Sequence, residues 1–80
     1  MYTTYILKSD KWGTYYYGHS KNLEFRLKRH NGGFVRSTKS KRPWTIHYTE
    51  SFETKSEAYR RELFFKTIEG YNWLKHKGII

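Results

Sequence analysis

The chain contains no cysteine. Disulfide bonds and thiolate metal sites are therefore both excluded. Acidic residues are also few. Asp10, Glu24, Glu50, Glu53, Glu57, Glu62 and Glu69 are scattered, and no D-x-D or similar cluster offers a ready two-metal site. His19, His30, His47 and His76 lack the tight spacing of a zinc site. There is no glycine-rich phosphate loop, and Pro43 is the single proline. No apolar run approaches the roughly 18 residues that span a bilayer, so a membrane is not the expected partner. Met1-Tyr2-Thr3-Thr4-Tyr5 lacks the charged start and long apolar stretch of a signal peptide. The expected compartment is the cytoplasm.

What the chain does have is positive charge and aromatic rings. Its 80 residues carry 16 basic and 7 acidic side chains, a formal net charge of +9. That balance predicts a polyanionic partner; nucleic acid, whether DNA or RNA, and anionic lipid both qualify. So short a chain reads as one domain, 1–80, with a modest core. The three tryptophans, eight tyrosines and five phenylalanines are the expected substitute for disulfides, because each ring buries a large area.

Tyr2 to Lys8 is rich in β-formers, and so is Thr14 to Gly18; turn residues between them predict a hairpin. Ser20 or Asn22 can cap a helix running to about Arg29 or His30, stopped by Asn31-Gly32-Gly33. A polar basic loop, Arg36 to Arg42, follows and is closed by Pro43. Trp44 to Phe52 reads as a third strand, with Trp44, Ile46 and Tyr48 expected on one face. Thr54-Lys55-Ser56-Glu57 is a capping box. Its helix is expected to reach about Ile68 and to be broken by Gly70, with a last short helix over Tyr71 to Lys77. The predicted class is α+β, a three-stranded antiparallel sheet flanked by helices, in the order β-β-α-β-α-α.

Several residues sit awkwardly for a simple core. Leu23 and Leu27 mark the inward stripe of the first helix, and Arg26 and His30 share a face that overlaps it. A plain explanation is a snorkelling arginine and a histidine favoured by the helix C-terminus. Glu62 lies between Ala58 and Phe65 on one helix face. A carboxylate there needs a cationic side chain or a bound cation. Tyr15 and Tyr17 must face away from Tyr16, because side chains alternate along a strand.

Taken in order, Thr3-Thr4-Tyr5, Tyr16-Tyr17-Gly18, the segment Asn22 to Asn31, Arg42-Pro43-Trp44, and Ala58-Tyr59-Arg60-Arg61-Glu62 with Lys66 resemble the GIY-YIG endonuclease superfamily. The likeness is greatest to its short, stand-alone bacterial members. The resemblance implies a metal-dependent endonuclease that hydrolyses DNA phosphodiester bonds. Tyr5 and Tyr16 would be the motif tyrosines, with Gly18 closing the second motif. Arg26 and His30 would be the helix pair, and Glu62 the ligand of one Mg²⁺ or Mn²⁺. Asn72 is a candidate for a late asparagine found in some members. The first motif's Gly-Ile is Thr3-Thr4 here, the second motif's Ile is Tyr17, and His19 stands where many members carry lysine. Lys21, Lys28, Arg29, Arg36, Lys39, Lys41 and Arg42 are expected to track the nucleic-acid backbone. The competing expectation is a non-catalytic nucleic-acid-binding module on the same fold.

Overall fold

The structure is a computed structural model and describes residues 1–80. The elements follow the expected order: β1 (Tyr2–Ser9), β2 (Tyr15–Ser20), α1 (Leu23–Asn31), β3 (Trp44–Phe52), α2 (Lys55–Phe65) and α3 (Ile68–His76). A 3₁₀ turn, Lys39–Lys41, lies within the basic loop. The strands form one antiparallel sheet in the order β2-β1-β3.

Because β1 is central, its side chains carry the core, and Tyr5, Ile6 and Leu7 are fully buried. Alternation sends Tyr5 and Leu7 to one face. There they cluster with Trp44, and Tyr16, Leu23 and Leu27 close over them. Ile6 points to the other face and clusters with Phe65 and Leu74, against Tyr15, Tyr17 and Tyr48. The three consecutive tyrosines of β2 divide between the faces as expected. Each fully buried large apolar side chain contributes about 1.5–3 kcal/mol, which takes the place of covalent staples.

The strand β3 departs from its expected pattern. Ile6 pairs with Tyr48 but Leu7 pairs with Ile46, so His47 is an extra residue at a β-bulge. One added residue reverses the alternation. Trp44 therefore joins the Tyr5 cluster while Tyr48 joins the Ile6 cluster, on opposite faces.

The helix boundaries also correct the expectation. The helix α1 is capped by Asn22, whose side chain accepts from Phe25 N. The Thr54 capping box forms in full. The helix α2, however, stops at Phe65, and Gly70 lies inside α3 instead of before it. Thr67 makes the break: its side chain accepts from Gly70 N and caps α3. Beside this corner, Arg61 joins three elements. Its Nε donates to Glu50 Oε1 at 2.7 Å, and its guanidinium lies 4.5 Å from the centroid of the Trp73 ring.

Candidate active site

Tyr5 comes from the middle of β1 and leans over β2 at Gly18, its pairing partner. A Cβ on Gly18 would lie 2.5 Å from both Cζ and Oη of Tyr5. Only glycine admits the ring there, which is a physical reason for the glycine that closes the second motif.

The hydroxyl of Tyr5 lies 3.2 Å from His30 Nε2, and His30 Nδ1 lies 2.8 Å from Thr38 Oγ1. Thr38 Oγ1 donates its one proton to Val35 O at 3.2 Å. It must therefore accept from His30 Nδ1–H, which leaves Nε2 to accept from Tyr5 O–H. The tautomer of His30 follows from this hydrogen-bond chain. Thr38 is itself held, because Trp44 Nε1 donates to its carbonyl at 2.9 Å. Sequence reasoning missed Thr38. It looked like one more polar loop residue, and nothing local marks it as fully buried.

His30 is fully enclosed, and burial followed by the Arg26 and Arg29 charges brings its pKa down to about 4. It is neutral at pH 7, so Nε2 offers its lone pair to the Tyr5 hydroxyl. The unfolded chain binds that proton near pH 6.5 and the folded chain only near pH 4. Stability is therefore fully present above about pH 6.5 and falls as the pH drops toward 4. The loss is on the order of 3 kcal/mol. Urea melts at pH 7 and pH 4.5 will show this loss in the wild type and a smaller one in His30→Gln. Equal losses in the two proteins would place the titration elsewhere.

Arg26 lies beside Tyr5. Burial raises the Tyr5 pKa, the Arg26 guanidinium opposes that rise, and Tyr16 and Glu62 add to it. All of the principal residues are thus within electrostatic reach of one hydroxyl. The Tyr16 ring packs 4.8 Å from the His30 ring and 6.4 Å from that of Tyr5. Arg26 Nε is buried and has no partner within the protein. Buried donors are nearly always paired, so this orphan marks a guanidinium that packing alone does not satisfy, on a side chain that lines an open cleft.

Glu62 enters from α2 and is paired on both oxygens. His19 Nδ1 lies 2.7 Å from Oε1, and Lys66 Nζ donates to Oε2 at 2.8 Å. Burial alone would raise its pKa, but the hydrogen bonds from His19 and Lys66 outweigh it and the net shift is downward. Glu62 is a carboxylate. The plain explanation of its position, a cationic partner, is part of the truth. His19 sits against Glu62, on the face of β2 that packs on α2.

A basic cleft of about 400 Å³ opens over Arg26, lined by Tyr2, His19, Ser20, Lys21, Arg26 and Lys55. Lys21 precedes the Asn22 cap and Lys55 is the first residue of α2, so two helix N-termini flank the cleft. Each carries about half a positive charge. Lys55 was missed in the sequence because it looked like part of a capping box. The remaining basic candidates lie apart from this cleft. Lys41 is tied through its carbonyl to Ser9 at the far end of β1, whereas Tyr2 lines the cleft at the near end. That separation is roughly 20 Å along the strand. Arg36, Lys39 and Arg42 belong to the same loop, and Arg42 Nε donates to Lys39 O at 2.8 Å. Lys28 is exposed on α1, and the Arg29 guanidinium lies 5.7 Å from the Phe34 ring centroid. Asn72 is exposed on α3 and hydrogen-bonds to none of the site residues.

No group of three or more histidine or acidic side chains is placed to hold a metal. Glu62 alone still fits a hard cation. Mg²⁺ is commonly held by one or two carboxylates together with water and substrate phosphate, and each carboxylate oxygen keeps a second lone pair.

Two tyrosines, an arginine, a histidine and a glutamate gathered where α1 and α2 meet the β2 edge define a nuclease-type domain. A family model, the GIY-YIG catalytic domain, matches residues 1–72, and the chain belongs to the GIY-YIG family. A UPF0213 protein of Staphylococcus saprophyticus is 43% identical over 72 residues, covering 89% of this chain and 87% of its own. A UPF0213 protein of Halobacterium salinarum is 38% identical over 69 residues, covering 85% and 88%. The solution NMR structure of a UPF0213 protein from Bacillus halodurans superposes with a TM-score of 0.54 at 28% identity, covering 95% of this chain and 84% of that one. No helix is long and apolar enough to cross a membrane.

Proposed function

We propose that the protein is a metal-dependent endonuclease that hydrolyses DNA phosphodiester bonds in cytoplasmic repair or processing of DNA. The observation that carries this reading is Arg26. Its Nε is buried without a partner, beside the Tyr5 hydroxyl and beneath a cleft rich in cations.

Arg26 holds the scissile phosphate and meets the charge that builds on its oxygens. Glu62 would hold one Mg²⁺ or Mn²⁺, which when bound supplies charge stabilisation to that phosphate and to the leaving 3′ oxygen. Tyr5, its own proton held in a hydrogen bond to His30 Nε2, accepts a hydrogen bond from the attacking water and positions it, and the water's proton passes to solvent. Water oxygen bonds to phosphorus, and the bond to the 3′ oxygen breaks. Tyr16 packs against the His30 ring and keeps it aligned. Lys21 and the other basic side chains track neighbouring phosphates.

The double pairing of Glu62 favours a second reading, a nucleic-acid-binding module that does not cut. One experiment separates the two. Purified protein is incubated with duplex, single-stranded, flapped and branched DNAs, with Mg²⁺, with Mn²⁺ and with excess chelator. Nicking that needs metal supports the endonuclease. Binding without cleavage of any form supports the module, and cleavage that survives the chelator removes the metal from the mechanism.

A further inference from the structure

A second cleft adjoins the basic one and shares His19 and Lys55 with it. Its volume is about 670 Å³, and its remaining walls are Ser56 and Tyr59. Most of its lining is carbon. The rings of His19 and Tyr59 stand 5.2 Å apart, tilted by 54°. Tyr59 is 47% exposed and belongs to neither core cluster, although its neighbour Ala58 is fully buried. Core packing therefore does not account for an aromatic ring at this position. His19 reaches Glu62 through Nδ1, so the cleft lies one side chain from the catalytic carboxylate.

We propose that the cleft lined by His19 and Tyr59 is a nucleobase subsite, in which the base next to the scissile phosphate stacks on the exposed face of the Tyr59 ring while Lys55 binds that nucleotide's phosphate. The inference rests on the endonuclease reading above. The walls favour a base over a phosphate, because an anion gains little from carbon-lined surface and the Tyr59 ring offers a stacking face. A volume of about 670 Å³ falls in the range of small-molecule sites, ample for one nucleotide. His19 Nε2 makes no hydrogen bond within the protein, and with the Lys55 ammonium it can meet polar groups on the edge of the base. Stacking tolerates every base, so the subsite recognises an unstacked nucleotide and not a sequence. The cut should therefore fall where a base can leave its stack.

The test uses the full chain and a labelled oligonucleotide whose cut position has been mapped with Mg²⁺. Binding is then measured in chelator, so that no cleavage intervenes. The oligonucleotides are the intact one and a series with an abasic residue walked along it. Tyr59→Ala is expected to weaken binding of the intact oligonucleotide about tenfold, the usual size of one base–aromatic stack. An abasic residue beside the cut should cost the wild type a similar factor, and Tyr59→Ala should then cost nothing more. Tyr59→Trp should retain binding. Loss of equal size on intact and abasic oligonucleotides, or no loss at all, would overturn the subsite. If the oligonucleotide is cut normally while Tyr59 proves irrelevant, only the subsite falls. If no oligonucleotide is bound or cut, the endonuclease reading falls with it.

Discussion

Arg26→Ala is expected to reduce DNA cleavage at least about 10³-fold and to leave the fold intact. Removing a single donor to a developing oxyanion typically costs 10²–10³-fold. Arg26 offers several donors as well as a full charge, so its loss belongs at or beyond the upper end. Stability should move little, and in a telling direction. The buried Nε has no protein partner, so truncating the side chain removes an unsatisfied donor. Initial rates on the preferred DNA, together with thermal melts, check both halves. Arg26→Lys should restore little, because an ammonium lacks the planar fork that grips two phosphate oxygens. Glu62→Gln should be equally inactive but less stable, since it gives up the charge that faces His19 and Lys66. Cleavage within tenfold of wild type in Arg26→Ala would move the phosphate site away from α1.

Gly70→Ala is expected to be the most destabilising single-methyl change in the chain. A Cβ on Gly70 would lie 1.8 Å from Phe64 O and 2.6 Å from its carbonyl carbon. Those atoms are backbone and cannot rotate away. The corner between α2 and α3 would have to open, and with it the packing of Phe65 and Leu74 beneath Ile6. Overpacking of this kind costs on the order of 3 kcal/mol or more. In a domain of this size that is a drop of roughly 10–25 °C in Tm. A calorimetric or circular-dichroism melt within about 2 °C of wild type would show that α3 can slide freely over α2. Activity should suffer only through the fraction unfolded, because no residue of α3 lines the cleft over Arg26.

The two glycines show how much was legible from the chain. Gly18 stood out from its motif, yet the physical reason for a glycine there is a contact with Tyr5, a residue 13 positions earlier that sheet pairing brings opposite it. Gly70 looked like a helix breaker, because glycine is a poor helix former. It instead serves as the third residue of α3, where a bare Cα lets two helices approach. Short-range signals found the caps at Asn22 and Thr54, since those hydrogen bonds span only three residues. The bulge at His47 left no such trace. It depends on how β3 meets β1, a pairing of residues some 40 positions apart.

The candidate site residues divided in the same way. Tyr5, Arg26, His30 and Glu62 could be named in advance, because motif order and misfit on a helix face are properties of the chain. Thr38, Lys55 and Tyr59 could not. Each looks ordinary among its sequence neighbours and matters only for what lies across from it: His30 for Thr38, Arg26 for Lys55, His19 for Tyr59.

By itself the sequence determined the net charge of +9, the β-β-α-β-α-α order and which side chains were candidates for the site, because charge, periodicity and residue type are local quantities. Tertiary structure alone decided which proton Tyr5 shares with His30, which side chains close on Glu62, and which basic residues share a cleft with Arg26. Those depend on distances of a few ångströms between distant parts of the chain, and only folding sets such distances.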